Sequence, residues 1–237
     1  MPTTQPNDVI HISPSVLNSY QALVNKEKYM DEFKFKAQLL GLEPMSEAAL
    51  SGSAIHHACW GGGEDLPEVG NWIVHPDIPI AVNEVVNFKH GDGGVPEVPF
   101  VMNFPQYHAR LSGRCDLLYD TRTVEGKTSS GVRGFAPELE KYTVLPQTQA
   151  YATYFGVPCE VVVIHIKRSK PRNRPKGTVG LLTLAEPRSI QKGVVEPSKE
   201  TAKNLDLWVR DCVRYISKDE EMLAHCLKKG RREIKEF

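Results

Sequence analysis

The chain has 237 residues, of which 41% are hydrophobic and 24% charged, the balance of a globular protein rather than a disordered or fibrous one. Lys plus Arg and Asp plus Glu each number 29, so no global charge draws the chain to nucleic acid, and any such contact must rest on a local cluster. The five cysteines are scattered and form no C-x-x-C pair, which argues against a disulfide framework or a zinc ribbon and suits a reducing interior.

The start, MPTTQPNDVIHISP, shows no basic region followed by an apolar run, and no stretch is apolar enough to span a membrane. A soluble intracellular protein is expected. Residues 1–12 read as an extended lead-in. Ser13-Pro14 supplies an N-cap followed by proline at the first helical position. Leu17, Tyr20, Leu23 and Val24 then share one helical face, and a shorter helix is expected over Met30–Leu40. Ser46–Trp60 forms a third, broken or entered at Ser51-Gly52-Ser53, carrying His56 and His57 and ending at the glycines 61–63.

From Trp72 the pattern turns to strands: Trp72–Val74, Ile80–Phe88, Val98–Met102 and Ala109–Leu118, separated by turn-formers. The Gly-rich loop 89–97 has no strand-to-helix context and reads as a hairpin tip. Pro137–Phe155 is helical in pattern, with Pro146 forcing a kink or a restart. Pro158–Lys167 is a dense β-branched run, expected as a buried strand, with Thr178–Ala185 as its partner. Ser198 caps a last long helix whose apolar face is Leu205, Trp208, Val209, Cys212, Val213 and Ile216. The charged terminus KKGRREIKEF is expected to fray.

The stretch Leu111–Ser129 carries the chemistry. With Asp120-Thr121 at the turn of a hairpin, Tyr119 pairs with Arg122, Leu118 with Thr123, Leu117 with Val124 and Asp116 with Glu125. Opposed residues of an antiparallel pair share a face with Cβ atoms about 4.5–5.5 Å apart, and Lys127 joins Glu125 on it. Two facing carboxylates repel unless a cation lies between them, so a divalent metal beside a lysine is the economical reading. The bland alternative is a solvated strand face, and Glu233-Ile234-Lys235 repeats the Glu-x-Lys pattern in the tail.

Four segments occur in order: Gly52-Ser53-Ala54-Ile55-His56, Gly113-Arg114-Cys115-Asp116, Glu125-Gly126-Lys127-Thr128 and Gln147-Thr148-Gln149-Ala150-Tyr151. Together they resemble the PD-(D/E)XK nuclease superfamily, and more narrowly its RecB-like exonuclease branch, over roughly residues 13–167. The resemblance implies an α/β fold with a mixed central β-sheet flanked by helices, a restriction-endonuclease-like core. It makes Asp116, Glu125 and Lys127 catalytic, with Asp116, Glu125, His56 and the carbonyl of Gly126 as metal ligands. Gln147, Tyr151 and Thr128 become substrate-side residues. His57 is the alternative to His56, the four-residue offset from Gly52 favouring the latter. The implied cofactor is Mg²⁺ or Mn²⁺, which suits oxygen ligands with one imidazole. The first helix has no cysteine, and Cys212 and Cys226 stand alone, so no iron–sulfur cluster is expected.

Between the last two strands, Lys167, Arg168, Lys170, Arg172, Arg174 and Lys176 follow one another without an acid. This run is the candidate contact to DNA backbone, without sequence preference, against the alternative of a solvated hairpin loop. The expectation is one nuclease domain over 1–237, with a core of about 13–185 and a C-terminal helix and tail over 198–237. Its expected activity is metal-dependent hydrolysis of DNA phosphodiesters, first as an exonuclease in recombination, repair or replication. The alternatives are a structure-selective endonuclease, a catalytically silent nucleic-acid-binding subunit, and a small zinc enzyme using His56, His57 and Cys59. The expected partners are single- or double-stranded DNA and a single-strand-binding or recombination protein, in a bacterial cytoplasm and with a phage or mobile element as a fitting source.

Overall fold

The computed structural model describes residues 9–44, 46–61, 72–86, 93–129, 136–169, 179–185 and 190–233. In chain order the elements are β1 (Ile10–Ile12), α1 (Pro14–Val24), α2 (Glu32–Leu40), α3 (Glu47–Trp60), β2 (Trp72–Val74), α4 (Asp77–Val86), β3 (Val95–Phe104), β4 (Ala109–Tyr119) and β5 (Arg122–Ser129). There follow α5 (Ala136–Thr143), α6 (Pro146–Phe155), β6 (Cys159–Ser169), β7 (Gly180–Leu184), β8 (Ile190–Val195), α7 (Lys199–Ile216) and α8 (Glu220–Glu233). The strands form a mixed eight-stranded sheet with β1-β4-β5-β6-β7-β2 along its path, β3 beside β4 and β8 beside β6. The protein is α/β, with helices against both faces of this sheet.

The run from Cys159 to Ile166 shows why. A strand turns alternate side chains to opposite faces, so a sheet covered on both sides needs an unbroken apolar run. Val161 and Val163 enter a core with Leu17, Phe35, Tyr151 and Val209, built from α1, α2, α6 and α7. Val162 and Ile164 enter a second core with Ile55, Trp60, Trp72 and Ile78, built under α3 and α4.

The helix ends follow the local chemistry. Ser13, Asp31, Ser46 and Ser198 each accept a backbone N–H of the following turn, at Val16, Lys34, Ala49 and Thr201. α3 runs unbroken through Ser51-Gly52-Ser53, correcting the expected break. The Ser51 hydroxyl donates to the Ala48 carbonyl, inside the helix, at 2.9 Å. Pro146 does restart the chain: α5 ends at Thr143 and α6 begins at Pro146.

Three further expectations change, and one strand is new. Ile80–Phe88 is not a strand; Asp77–Val86 is α4. Ile78, Val82 and Val86, four residues apart, are buried while Ile80 is 57% exposed, which is a helical face and not an alternating one. Pro79 falls in the first turn, where its missing N–H costs no helical bond. The lead-in contributes β1, parallel to the start of β4. The segment Ile190–Val195, which carried no expectation, pairs antiparallel with β6. The tail is helical through Glu233, and its last four residues lie outside the described ones.

The sheet's connectivity opens the cleft. β3 lies along one edge of β4 from Ala109 to Leu118. On the opposite edge β1 takes Ala109–Leu111 and β5 takes only Leu117–Tyr119. The ladders therefore skip residues 112–116 on that edge. Cys115 belongs to the first core and Leu117 to the second, so the alternation of β4 breaks at the residue between them, Asp116.

Candidate metal centre

Asp116 sits where β4 and β5 part. The three hairpin rungs Tyr119–Arg122, Leu118–Thr123 and Leu117–Val124 form as the sequence indicates. The expected rung Asp116–Glu125 does not. Instead the Gly126 N–H donates to Asp116 Oδ2 at 2.7 Å, a side chain replacing a strand as the acceptor. The same oxygen lies 2.7 Å from His56 Nε2. His56 thus joins the site from α3, on the second core's side. His57 lines the same cavity, but His56 makes the carboxylate contact.

Two close approaches allow α3 to lie this near. At Gly52 an added Cβ would stand 3.1 Å from Thr128 Oγ1, and at Gly126 it would stand 2.5 Å from Trp60 Cζ3. Glycine at both positions lets the helix and its buried Trp60 meet β5. The Trp60 and His56 rings meet edge to face, with centroids 4.9 Å apart, which fixes the imidazole plane.

From the first core's side come Glu125 and Lys127, which form an ion pair. The Lys127 ammonium also donates to Gln147 Oε1 at 2.7 Å. Asn18, on α1, holds this glutamine twice: its Nδ2 donates to Gln147 Oε1 at 2.9 Å, and its Oδ1 accepts the Gln147 N–H at 3.2 Å. The second bond serves as the missing cap of α6, whose Leu145 has no side chain for the task. Gln147 Nε2 donates to the Tyr151 hydroxyl at 2.8 Å, and that hydroxyl donates to the Arg114 carbonyl at 2.7 Å. Tyr151 is 1% exposed. It lies behind Gln147 and supplies the unpaired edge of β4 with a donor, so it is an anchor and does not face the cavity as expected of a substrate residue.

The cavity beside these groups measures about 730 Å³, and its lining includes His56, Arg114, Asp116, Glu125, Lys127 and Gln147. Gly126 and Thr128 also face it. Lys167 and Arg168 lie exposed at the far end of β6 and do not line it. Lys170, Arg172, Arg174 and Lys176 lie outside the described residues.

The site's protons are set by burial and by one another. For Glu125, burial first and then the Asp116 charge push the carboxyl up to about 8, despite Lys127 and His56. Burial works against a charged His56, but the Asp116 charge and hydrogen bond outweigh it and raise the imidazole to about 9. Burial likewise opposes the Asp116 carboxylate, and His56, Lys127 and the Gly126 N–H hold it below its ordinary range. Lys127 is desolvated too, yet Glu125 and Asp116 keep its ammonium above its usual value. The acids are therefore held by a proton and two cationic side chains.

These groups fit an oxygen-preferring divalent cation. Glu125 is 1% exposed, and its Oε2 has no hydrogen-bond partner among the described residues, an orphaned acceptor that a cation would satisfy. One residue that the motifs do not contain belongs here as well. Ligand atoms of His56, Asp116 and Glu97 all lie within 4.8 Å of one another. Glu97 comes from β3, and its place follows from register alone: Pro96 faces Leu117 and Val98 faces Cys115, which puts Glu97 level with Asp116. Cys59, by contrast, packs in the second core, its thiol pushed up to about 12 by burial. Cys59 is not part of the cavity lining that holds His56 and His57.

No helix among the described residues is long and apolar enough to cross a membrane. No family model matches the chain, and no curated protein does. Among solved structures, a crystal structure of SSO0001 is similar to it at 16% identity, covering 90% of this chain and 78% of that one with a TM-score of 0.45.

Proposed function

We propose that the protein is a Mg²⁺- or Mn²⁺-dependent deoxyribonuclease of the PD-(D/E)XK type, acting on DNA ends as an exonuclease. The observation that carries this reading is the convergence on Asp116 of His56 from one face of the sheet, with Glu125, Lys127 and Gln147 supplied from the other. Asp116, Glu125 and His56 would hold the cation, with the Gly126 carbonyl as a further ligand. A divalent ion so held supplies a water that is nucleophilic at neutral pH and offsets charge at phosphorus.

The chain's own groups do the rest. Lys127 keeps its proton at neutral pH, so it acts as a fixed positive charge and donor toward a developing phosphorane and not as a base. Gln147, pinned by Asn18 and Tyr151, points that ammonium by accepting one of its hydrogens. Arg114 and Thr128 line the cavity where the phosphate backbone would run. The basic run 167–176 would hold more of that backbone, independent of sequence.

The test is digestion of end-labelled linear DNA, single- and double-stranded, beside a closed circle, with Mg²⁺ or Mn²⁺. Ends should shorten, closed circles should survive, and Lys127→Ala should abolish turnover. Nicking of the circle would replace the exonuclease reading with the endonuclease one. Lack of activity with any divalent ion, or an active Lys127→Ala variant, would overturn the assignment.

A further inference from the structure

Three neighbouring strands each bring one carboxylate to the lining of one cavity: Glu97 on β3, Asp116 on β4 and Glu125 on β5. We infer that Glu97 is a ligand of the cation held by His56 and Asp116, a third acid that completes the site from the strand opposite the hairpin. This rests on the metal-dependent reading above and adds to it a residue outside the four motifs.

Three observations lead there. Ligand atoms of Glu97, His56 and Asp116 gather within 4.8 Å, a spread that one ion can bridge at oxygen and nitrogen ligand distances of about 2.0–2.6 Å. Glu97 is also one of three non-glycine residues among those described with a positive φ, at 55°. A left-handed residue within a strand costs about 1–3 kcal/mol and persists where surrounding structure or function requires it. The ladder of β3 is in register on both sides of it, at Pro96–Leu117 and Val98–Cys115. The strain is therefore local to the residue that faces Asp116, and no slipped register explains it.

The third observation is independent of Glu97. Glu125, 1% exposed, belongs to the lining of the same cavity, and its buried Oε2 atom has no hydrogen-bond partner among the described residues. A buried acceptor of this kind is costly unless something positive meets it. Lys127 is engaged with the other oxygen of Glu125 and with Gln147. The second oxygen of Glu125 is therefore left for a cation to meet once the carboxyl has given up its proton.

The experiment measures Mn²⁺ binding without DNA, by calorimetry and by the loss of the free-ion electron-spin resonance signal. The proteins are wild type, Glu97→Gln and Glu97→Gly. Gln keeps the size of the side chain and removes its charge; Gly removes the ligand and also relieves the left-handed backbone. Both variants should bind Mn²⁺ at least about tenfold more weakly, a loss of the size seen when groups supporting a metal are removed. Glu97→Gly should nonetheless melt at or above the wild-type temperature in the metal-free state. Wild-type affinity in Glu97→Gln would overturn the Glu97 assignment and leave the nuclease reading standing. A wild-type protein that takes up no Mn²⁺ would overturn both.

Discussion

Replacing Gly126 with alanine tests how the site is assembled. The added methyl would stand 2.5 Å from Trp60 Cζ3 and 3.3 Å from His56 Nε2, well inside ordinary contact. Trp60 is 5% exposed and belongs to the core under α3 and α4, so its indole has little room to retreat. Overpacking of this kind costs about 1–3 kcal/mol. Gly126 does not have a positive φ, so alanine fits its backbone and returns about 0.4–1 kcal/mol by restricting the unfolded chain. The net expectation is a loss of about 1–2 kcal/mol. At about 2–4 °C per kcal/mol for a chain of this size, Tm should fall by roughly 2–8 °C. A displaced indole also moves the imidazole packed against it, so Mg²⁺ affinity should fall with stability. Trp60→Phe in the Gly126→Ala background should recover part of both, whereas Trp60→Phe alone should cost stability, giving a positive coupling in a double-mutant cycle. Thermal melts and calorimetric titration read the two quantities. A Gly126→Ala protein that melts and binds like wild type would refute the packing of α3 on β5 described above.

Metal uptake should be strongly pH-dependent. Without metal, Glu125 keeps its proton up to about 8 and His56 up to about 9, and both must release it to bind an ion. His56, raised from 6.5, gives stability that is full below that value and is lost as pH climbs through about 9. Glu125, raised from 4.5, weakens the metal-free protein as pH climbs from there to about 8. Mg²⁺ should therefore raise Tm more at about pH 8.5 than at about pH 6, with proton release visible in buffers of different ionisation heat; equal shifts would contradict the assigned protonation. Asn18→Ala removes the stand-in cap of α6 and one donor to Gln147, so denaturant unfolding should show a loss of about 0.5–2 kcal/mol. Its nuclease turnover should fall further than its folded fraction, and unchanged turnover would remove Gln147 from the positioning of Lys127. Substituting the basic residues of 167–176 should weaken DNA binding and flatten its dependence on salt by about 0.7–0.9 per lost phosphate contact. An unaltered slope would assign that run to solvent.

The site was legible where one element fixes the relation between its residues. The hairpin turn sets three rungs by counting, and the four-residue step from Gly52 to His56 puts both on one side of α3, where each meets β5. What the count misses is the parting of the strands. A ladder extrapolated one rung too far gives Asp116 opposite Glu125, while the native chain gives the Asp116 carboxylate a backbone N–H instead. Glu97 is not legible in the sequence, because residues 89–97 read as a hairpin tip and no motif ties it to Asp116. The register of β3 against β4 would have supplied that tie. The helix α4 is hidden in the sequence because HPDIP reads as a turn, which separates Ile78 from Val82 and Val86 and so conceals the period of four. Tyr151 has a substrate-side role only through the resemblance; its residue type alone suits a core aromatic, and it is 1% exposed, with Gln147 at the first turn between it and the cleft.

Among the described residues β3 pairs with β4 alone, so it is a border of the sheet. Such a border invites another chain to add itself as a further strand. Pro96 and Pro99 cannot donate to a newcomer, and the left-handed turn at Glu97 between them breaks the straight run of donors and acceptors that pairing needs. The kink that brings an acid to the cleft therefore also keeps this border from seeding filaments. Relaxing it, as Glu97→Gly would, should make the protein more prone to self-association even while its own fold becomes easier to hold.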